Sequence, residues 1–261
     1  MNLSLEGKTA VVCGSSQGIG LAVAQELAQL GANCILIARD AKKLGIAMNS
    51  LQNSVHQHHS FIVADFTNSE AVRIAIDTVL QHGPLEILVN NTGGPAAGPI
   101  TDAKEDEFTA AFNQHLVNNH ILTKAVVPGM KRRKYGRIIN IISTSVKVPL
   151  PNLGVSNTIR AAVASWAKSM ANELGQFNIT VNNILPGYTE TKRLESLLAA
   201  TAKKKKQTIE QTRTEMMKDI PLRRFGTAAE IGSVAAFLAS PAAAYVSGAN
   251  IAVDGGRTGS L

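Results

Sequence analysis

The chain has 261 residues, 45% hydrophobic and 17% charged, a balance that supports a sizeable core and excludes disorder over most of its length. Its 21 glycines and 9 prolines exclude collagen-like or low-complexity sequence. Lysine and arginine total 26 against 19 for aspartate and glutamate, a net charge of +7 that favours anionic partners.

Short Val- and Ile-rich runs alternate with longer stretches of helical period, the pattern of stacked βαβ units on a parallel sheet. Thr9 to Val12 predicts the first strand and Leu21 to Leu30 the first helix, with apolar residues at i, i+3 and i+4. Between them, Cys13-Gly-Ser-Ser-Gln-Gly-Ile-Gly20 places glycines where backbone must turn sharply and let a pyrophosphate approach a helix N-terminus. Gly7-Lys8-Thr9 resembles the tail of a phosphate-binding P-loop, but the first glycine of that motif would fall on Asn2, so this reading is discarded. The next elements are a strand over Cys34 to Ala38, a helix over Ala41 to Leu51 and a strand over Phe61 to Ala64. A helix over Ser69 to Gln81, a strand over Leu85 to Val89 and a long helix over Asp106 to Val127 follow. Arg137 to Ile142 and Ile179 to Ile184 predict strands on either side of a helix over Ser156 to Leu174; Ala228 to Ala239 and Ile251 to Val253 close the chain as helix and strand.

With no repeat and no Pro/Ser-rich linker, the expected architecture is one α/β domain over 1–261: a Rossmann-type, doubly wound parallel sheet. The polar, basic stretch Lys192 to Ile220 reads as a helical lid insertion. Cys13 and Cys34 lie inside apolar runs and read as buried free thiols. His56-Gln-His-His59 lacks a neighbouring carboxylate or cysteine and reads as a solvated loop, so no metal is expected. No apolar run approaches ~18 residues, and Met1 to Gly7 lacks a secretory pattern. A cytoplasmic protein without a membrane partner is expected. Aromatics at 4%, with no groove-reading motif, argue against nucleic acid.

The Cys13–Gly20 loop resembles the TGxxxGIG loop of the short-chain dehydrogenase/reductases, with Cys13 in place of Thr. Asp65 matches that family's adenine-contacting acid, and Asn90-Asn-Thr-Gly93 its NNAG segment, with Thr92 replacing Ala. Pro186-Gly-Tyr-Thr-Glu-Thr191 is similar to its PGxxxT loop beside the nicotinamide. Pro221 to Gly226, Phe237-Leu238, Gly248 and Val253 to Gly256 resemble its C-terminal run. The resemblance implies a nicotinamide cofactor held by Gly14, Ser16, Gln17, Gly18, Ile19, Gly20, Arg39, Asp65, Phe66, Asn91, Gly93, Arg160, Pro186, Gly187, Thr189 and Thr191. It also implies a homotetramer acting on a small-molecule or acyl-thioester substrate. Where an Asp would accept bonds from NAD ribose hydroxyls, this chain carries Ala38-Arg39; a guanidinium suits a 2′-phosphate, so NADP(H) is expected over NAD(H).

The catalytic end departs from the pattern. Ser143 in Asn140-Ile-Ile-Ser143 matches the family's Ser, but the positions of its Tyr, Lys and Asn hold Ser156, Arg160 and His115. Tyr188-Thr-Glu-Thr-Lys192 has the letters YxxxK but lies in the PGxxxT loop, a chance spacing; Tyr188 could still point into the site. An aliphatic hydroxyl is a far weaker acid than a phenol, and Arg160 stays charged. His115 is the group expected to titrate near neutrality, so the expectation is that it supplies the proton while Ser143 and Ser156 bond the substrate oxygen and Arg160 orients the nicotinamide ribose. A packed helix residue is the other reading of His115. Two functions follow: an NADP(H)-dependent oxidoreductase on a carbonyl or alcohol, of the 3-oxoacyl-thioester type; or a catalytically impaired NADP-binding subunit or sensor. The basic lid, Lys192, Arg193, Lys203 to Lys206, Arg213 and Lys218, reads either as a solvated face or as an attractor of a phosphorylated carrier.

Overall fold

The computed structural model describes residues 1–54 and 57–260. Among these, the Val- and Ile-rich runs form seven parallel strands: β1 Thr9–Cys13, β2 Asn33–Ala38, β3 Ser60–Val63, β4 Ile87–Asn90, β5 Gly136–Ile141, β6 Ile179–Pro186 and β7 Asn250–Val253. Their order is β3-β2-β1-β4-β5-β6-β7, so the winding direction reverses between β1 and β4. Strands β1, β4, β5 and β6 are buried almost end to end because helices cover both faces, which is why they read as continuous apolar runs.

Side chains alternate between the two faces. Ala10 and Val12 of β1 join the core under α1 Gly18–Gln29, α2 Ala41–Asn49 and α9 Ala228–Ala239. Val11 and Cys13 join the core under α3 Ser69–Gln81, α5 Asn118–Arg133 and α6 Gly154–Leu174.

The single helix expected over Asp106 to Val127 is corrected. Helix α4 Glu105–Phe112 and helix α5 are joined by a π-helical turn, Asn113–Val117, and α5 continues past Pro128 to Arg133. Proline removes one ladder hydrogen bond. The turn beyond it is held by fully buried Met130 and by an Arg133–Glu86 ion pair at 2.9 Å.

The insertion folds as α7 Lys192–Lys205 and α8 Ile209–Lys218, anchored on a small cluster of Leu194, Leu198, Ile220 and Phe225. Lys203, Lys204 and Lys205 lie in the last turn of α7, where cations complement the helix dipole, and Lys205 pairs with Glu215 of α8 at 2.9 Å. Part of the basic run is thus a helix-end device. Cys13 and Cys34 are buried and free. Val55 and His56 lie outside the described residues; His59 accepts the Cys34 amide at Nδ1 and bonds the Gln52 carbonyl through Nε2, which makes it a structural tie. No helix among the described residues is long and apolar enough to cross a membrane.

A polar line crosses the apolar sheet. Asn90, Asn140, Asn183 and Asn250 are register partners across β4, β5, β6 and β7. Asn90 donates its amide to Asn140 (2.8 Å), Asn140 to Asn183 (2.9 Å) and Asn183 to Asn250 (2.8 Å). The first three are buried and the last is exposed. Asn140→Ala strands the Asn90 donor and the Asn183 acceptor; at about 1–3 kcal/mol for each orphaned buried group, a loss of roughly 2–6 kcal/mol is expected from urea unfolding. Asn250→Ala, where water replaces the amide, is expected to cost about 1 kcal/mol or less.

Candidate active site

The carboxyl ends of β1, β4, β5 and β6 open on one crevice at the point where the winding reverses, the ordinary ligand position of such sheets. Gly14 leaves β1 with φ +59°, and a side chain there would strike the Asn91 carbonyl at 2.6 Å. Gly20 presses on the Gly14 carbonyl so closely that a Cβ has no room. Asn91 locks this turn by donating its amide to the carbonyls of Cys13 and Gly14, both at 3.2 Å. Burial pushes the Cys13 thiol up to about 12, so it is an inert neighbour of the turn.

Helix α1 begins here with its first turn open. Its N-cap, Gln17, makes no side-chain cap bond and no acid lies in the first turn, whereas Asp40, Asn68, Thr191, Thr208 and Thr227 cap α2, α3, α7, α8 and α9. Uncapped amides at Gly18 to Gly20 suit an anion. Ser16, Gln17 and Ile19 complete the turn. Gly18 faces Thr191, whose methyl lies 3.4 Å from the Cβ position of Gly18, so the glycine turn and the segment after β6 form opposite walls. On that second wall, the Gly187 amide bonds Val253 and Thr189 Oγ1 donates to the Gly187 carbonyl, extending from Pro186. This cradle fits the pyrophosphate of a dinucleotide.

At the outer end, Arg39 is exposed beyond β2 and Asp65 follows β3. Asp65 accepts the Thr67 amide and hydroxyl, both at 2.9 Å; those bonds, with the charge of Arg39, hold its carboxyl below the usual range. Phe66 is buried, its carbonyl taken by Asn118 of α5 at 2.7 Å. Gly93 is exposed in the loop after β4.

At the inner end, three departures from the family pattern meet. His115 sits in the π turn, 1% exposed, with Nδ1 2.5 Å from the Thr92 hydroxyl. Arg160, buried on α6, donates to the Ile141 carbonyl (3.0 Å) and the Thr92 carbonyl (3.4 Å). Burial, with the charges of Arg160 and Arg193, pushes His115 down to about 3. Burial also lowers Arg160 to about 10, which leaves it a cation at neutral pH. The imidazolium donor expected of His115 is therefore corrected: at neutral pH this ring is uncharged, because burial desolvates it and the charges of Arg160 and Arg193 add to that effect. Ser143 follows β5 and accepts the Ser145 amide at 3.1 Å, which leaves its hydroxyl proton to donate. Ser156 is buried in the first turn of α6.

Tyr188 does not point into this site. Its ring packs edge-on against Phe225 and under Arg257, which donates to its hydroxyl at 3.2 Å, at the base of the insertion. Two participants escaped the sequence reading of the site. Thr92 was visible as a departure from NNAG without a role. Arg193 was counted only among the lid cations, yet its guanidinium reaches the carbonyls of Gly94 (3.1 Å) and Pro95 (3.4 Å). Among the described residues no group of three His, Cys, Asp or Glu side chains is placed to hold a metal.

A family model described as enoyl-(acyl carrier protein) reductase matches residues 14–258. The 3-oxoacyl-[acyl-carrier-protein] reductase FabG of Pseudomonas aeruginosa is 36% identical over 258 residues, covering 97% of this chain and 98% of that protein. The NADPH-dependent reductase BacG of Bacillus subtilis is 30% identical over 256 residues, covering 97% and 99%. Among solved structures, the L-sorbose reductase of Gluconobacter frateurii complexed with NADPH and L-sorbose superposes with a TM-score of 0.94 at 30% identity, covering 100% of both chains.

The depressed His115 has a sign in stability. Below pH ~6.5 the unfolded chain binds a proton at this ring that the folded site refuses until about pH 3, so folding weakens as pH falls across that window. The slope contributed is up to about 1.4 kcal/mol per pH unit. His115→Asn is expected to lose less Tm than the parent between pH 7 and pH 5; equal losses in both proteins would show that the ring is not held neutral.

Proposed function

The chain belongs to the short-chain dehydrogenase/reductase family, and from that premise we propose that it is an NADP(H)-linked oxidoreductase that reduces a carbonyl to an alcohol. The observation that carries the cofactor choice is Arg39, an exposed guanidinium at the end of β2 with no ion-pair partner among the described residues. Its fork of donors matches a ribose 2′-phosphate, and an acid that would repel one is absent from that position. The NADPH dependence of BacG and the NADPH complex of L-sorbose reductase support the same choice.

A bound nicotinamide would supply the hydride. The chain's own groups do the rest: the Gly14–Gly20 turn and the open first turn of α1 hold the pyrophosphate, and Pro186, Gly187, Thr189 and Thr191 wall the nicotinamide half. Ser143 and Ser156 donate hydrogen bonds to the carbonyl oxygen. Arg160 orients the ribose and, fixed by two backbone carbonyls, presents a buried positive charge to the oxygen as negative charge develops there. His115, neutral, positions Thr92 and the loop after β4. In this reading the proton that completes the alcohol comes from solvent. The lost general acid is worth roughly 10²–10⁴ in rate, so turnover slower than in a Tyr/Lys relative is expected. Segment 192–220 acts as the lid, with a homotetrameric assembly and 3-oxoacyl thioesters within the substrate range.

One observation favours a second reading: Ser156 and Arg160 stand where a phenol and an amine would relay a proton, as in an NADP-binding subunit or sensor without turnover. Saturating NADPH with a panel of carbonyl compounds separates the two. NADPH oxidation above background supports the reductase; a rise in Tm with cofactor and no oxidation supports the sensor. Arg39→Ala is expected to weaken NADPH binding roughly 10- to 100-fold while NADH binding changes little, measured by calorimetry.

A further inference from the structure

Arg193 lies in the first turn of α7, yet its guanidinium is laid across the loop that follows β4. One of its nitrogens sits 2.9 Å from where a Gly94 side chain would begin. The same loop is gripped from the sheet side by Arg160 and His115, both through Thr92. Three basic side chains from three elements thus converge on four consecutive residues.

No acid answers them. Arg73, Arg133, Arg213 and Arg224 each pair with a glutamate, but among the described residues neither Arg160 nor Arg193 has a carboxylate within ion-pair distance. Arg160 is buried, where a cation without a counter-ion is costly, while Arg193 is exposed at the open end of the same loop and within reach of a ligand that brings the opposite charge. The other nitrogen of His115, Nε2, is buried with no hydrogen-bond partner, a second polar atom left open in the same place.

We propose that Arg193 binds a carboxylate of the substrate, so that the compounds reduced here are free oxo acids rather than neutral carbonyls. This rests on the reductase reading above and narrows its substrate range to free acids, which sets 3-oxoacyl thioesters outside it. The planar fork of a guanidinium matches a carboxylate in bidentate fashion. The anion is assigned to the substrate and not to the cofactor because the phosphates have their own receptors in the α1 turn and Arg39. Arg193 instead lies on the Gly94 and Pro95 carbonyls, in the loop whose Thr92 holds His115 and Arg160. Reduction balances as oxo acid plus NADPH plus one proton giving hydroxy acid plus NADP⁺.

The test compares NADPH oxidation with acetoacetate and levulinate against their methyl esters, in the parent and in Arg193→Met, which keeps an apolar stem and removes the charge. The parent is expected to prefer the acids by at least about tenfold in kcat/KM, and the variant to erase that preference through KM for the acid. Esters used as well as acids by the parent would overturn the proposal and leave the reductase reading standing. A weaker NADPH dissociation constant in Arg193→Met would assign the guanidinium to the cofactor and also overturn it. Titration of acetoacetate into the parent saturated with NADP⁺ decides the matter if nothing turns over. Heat that vanishes in Arg193→Met upholds Arg193 as a carboxylate site and leaves turnover to the carbonyl panel; no heat overturns the proposal.

Discussion

The crevice depends on one side-chain amide. Asn91 ties the glycine turn to the end of β4 by donating to two consecutive carbonyls, Cys13 and Gly14, and so fixes the gap between the two strands where the winding reverses. Its predecessor, Asn90, uses the opposite direction of a strand to start the amide line that crosses β5, β6 and β7. Two adjacent asparagines thereby couple the interior of the sheet to the shape of the cleft. The amides restore polarity to a sheet otherwise built of Val, Ile and Leu, and their paired registers resist slippage of one strand past another.

At the inner end of the cleft the departures from the family pattern are contacts of one another. Thr92 receives His115 at its hydroxyl and Arg160 at its carbonyl, so threonine, histidine and arginine form one assembly. A tyrosine and lysine would offer a proton whose affinity is tuned to neutrality. This assembly offers a fixed buried cation and a neutral ring. In the reductase proposed above, such an assembly would hold negative charge as it develops on the substrate oxygen.

Much of the fold was legible in the sequence because continuous apolar runs mark strands buried on both faces, and the spacing of the helices between them forces parallel crossovers. The glycine turn after β1 was legible because glycine is demanded there by the close approach of Gly20 to the Gly14 carbonyl. The asparagine line was not, since it exists only once four strands are in register. The π turn was hidden because one extra residue in a helix changes the apolar period too little to notice over 22 residues. The helix end beyond Pro128 was missed because the burial of Met130 and the Glu86 pair outweigh a local breaker. His115 was read with its ordinary pKa, because its burial, and after that the charges of Arg160 and Arg193, come only from the folded structure.

The π turn carries a further implication for how this protein tolerates change. Each residue advances a helix by about 100°, so the extra residue between Asn113 and Val117 rotates α4 out of phase with α5. The upstream half packs Ala111 against Val155 and Ile159 near the cleft, while the downstream half packs against α3 and the sheet. The rotational slip decouples the two: variation in α4 can change how it packs on the start of α6 without re-registering the central scaffold. Removing a single residue from the π turn would swing one half against the other like a misaligned key.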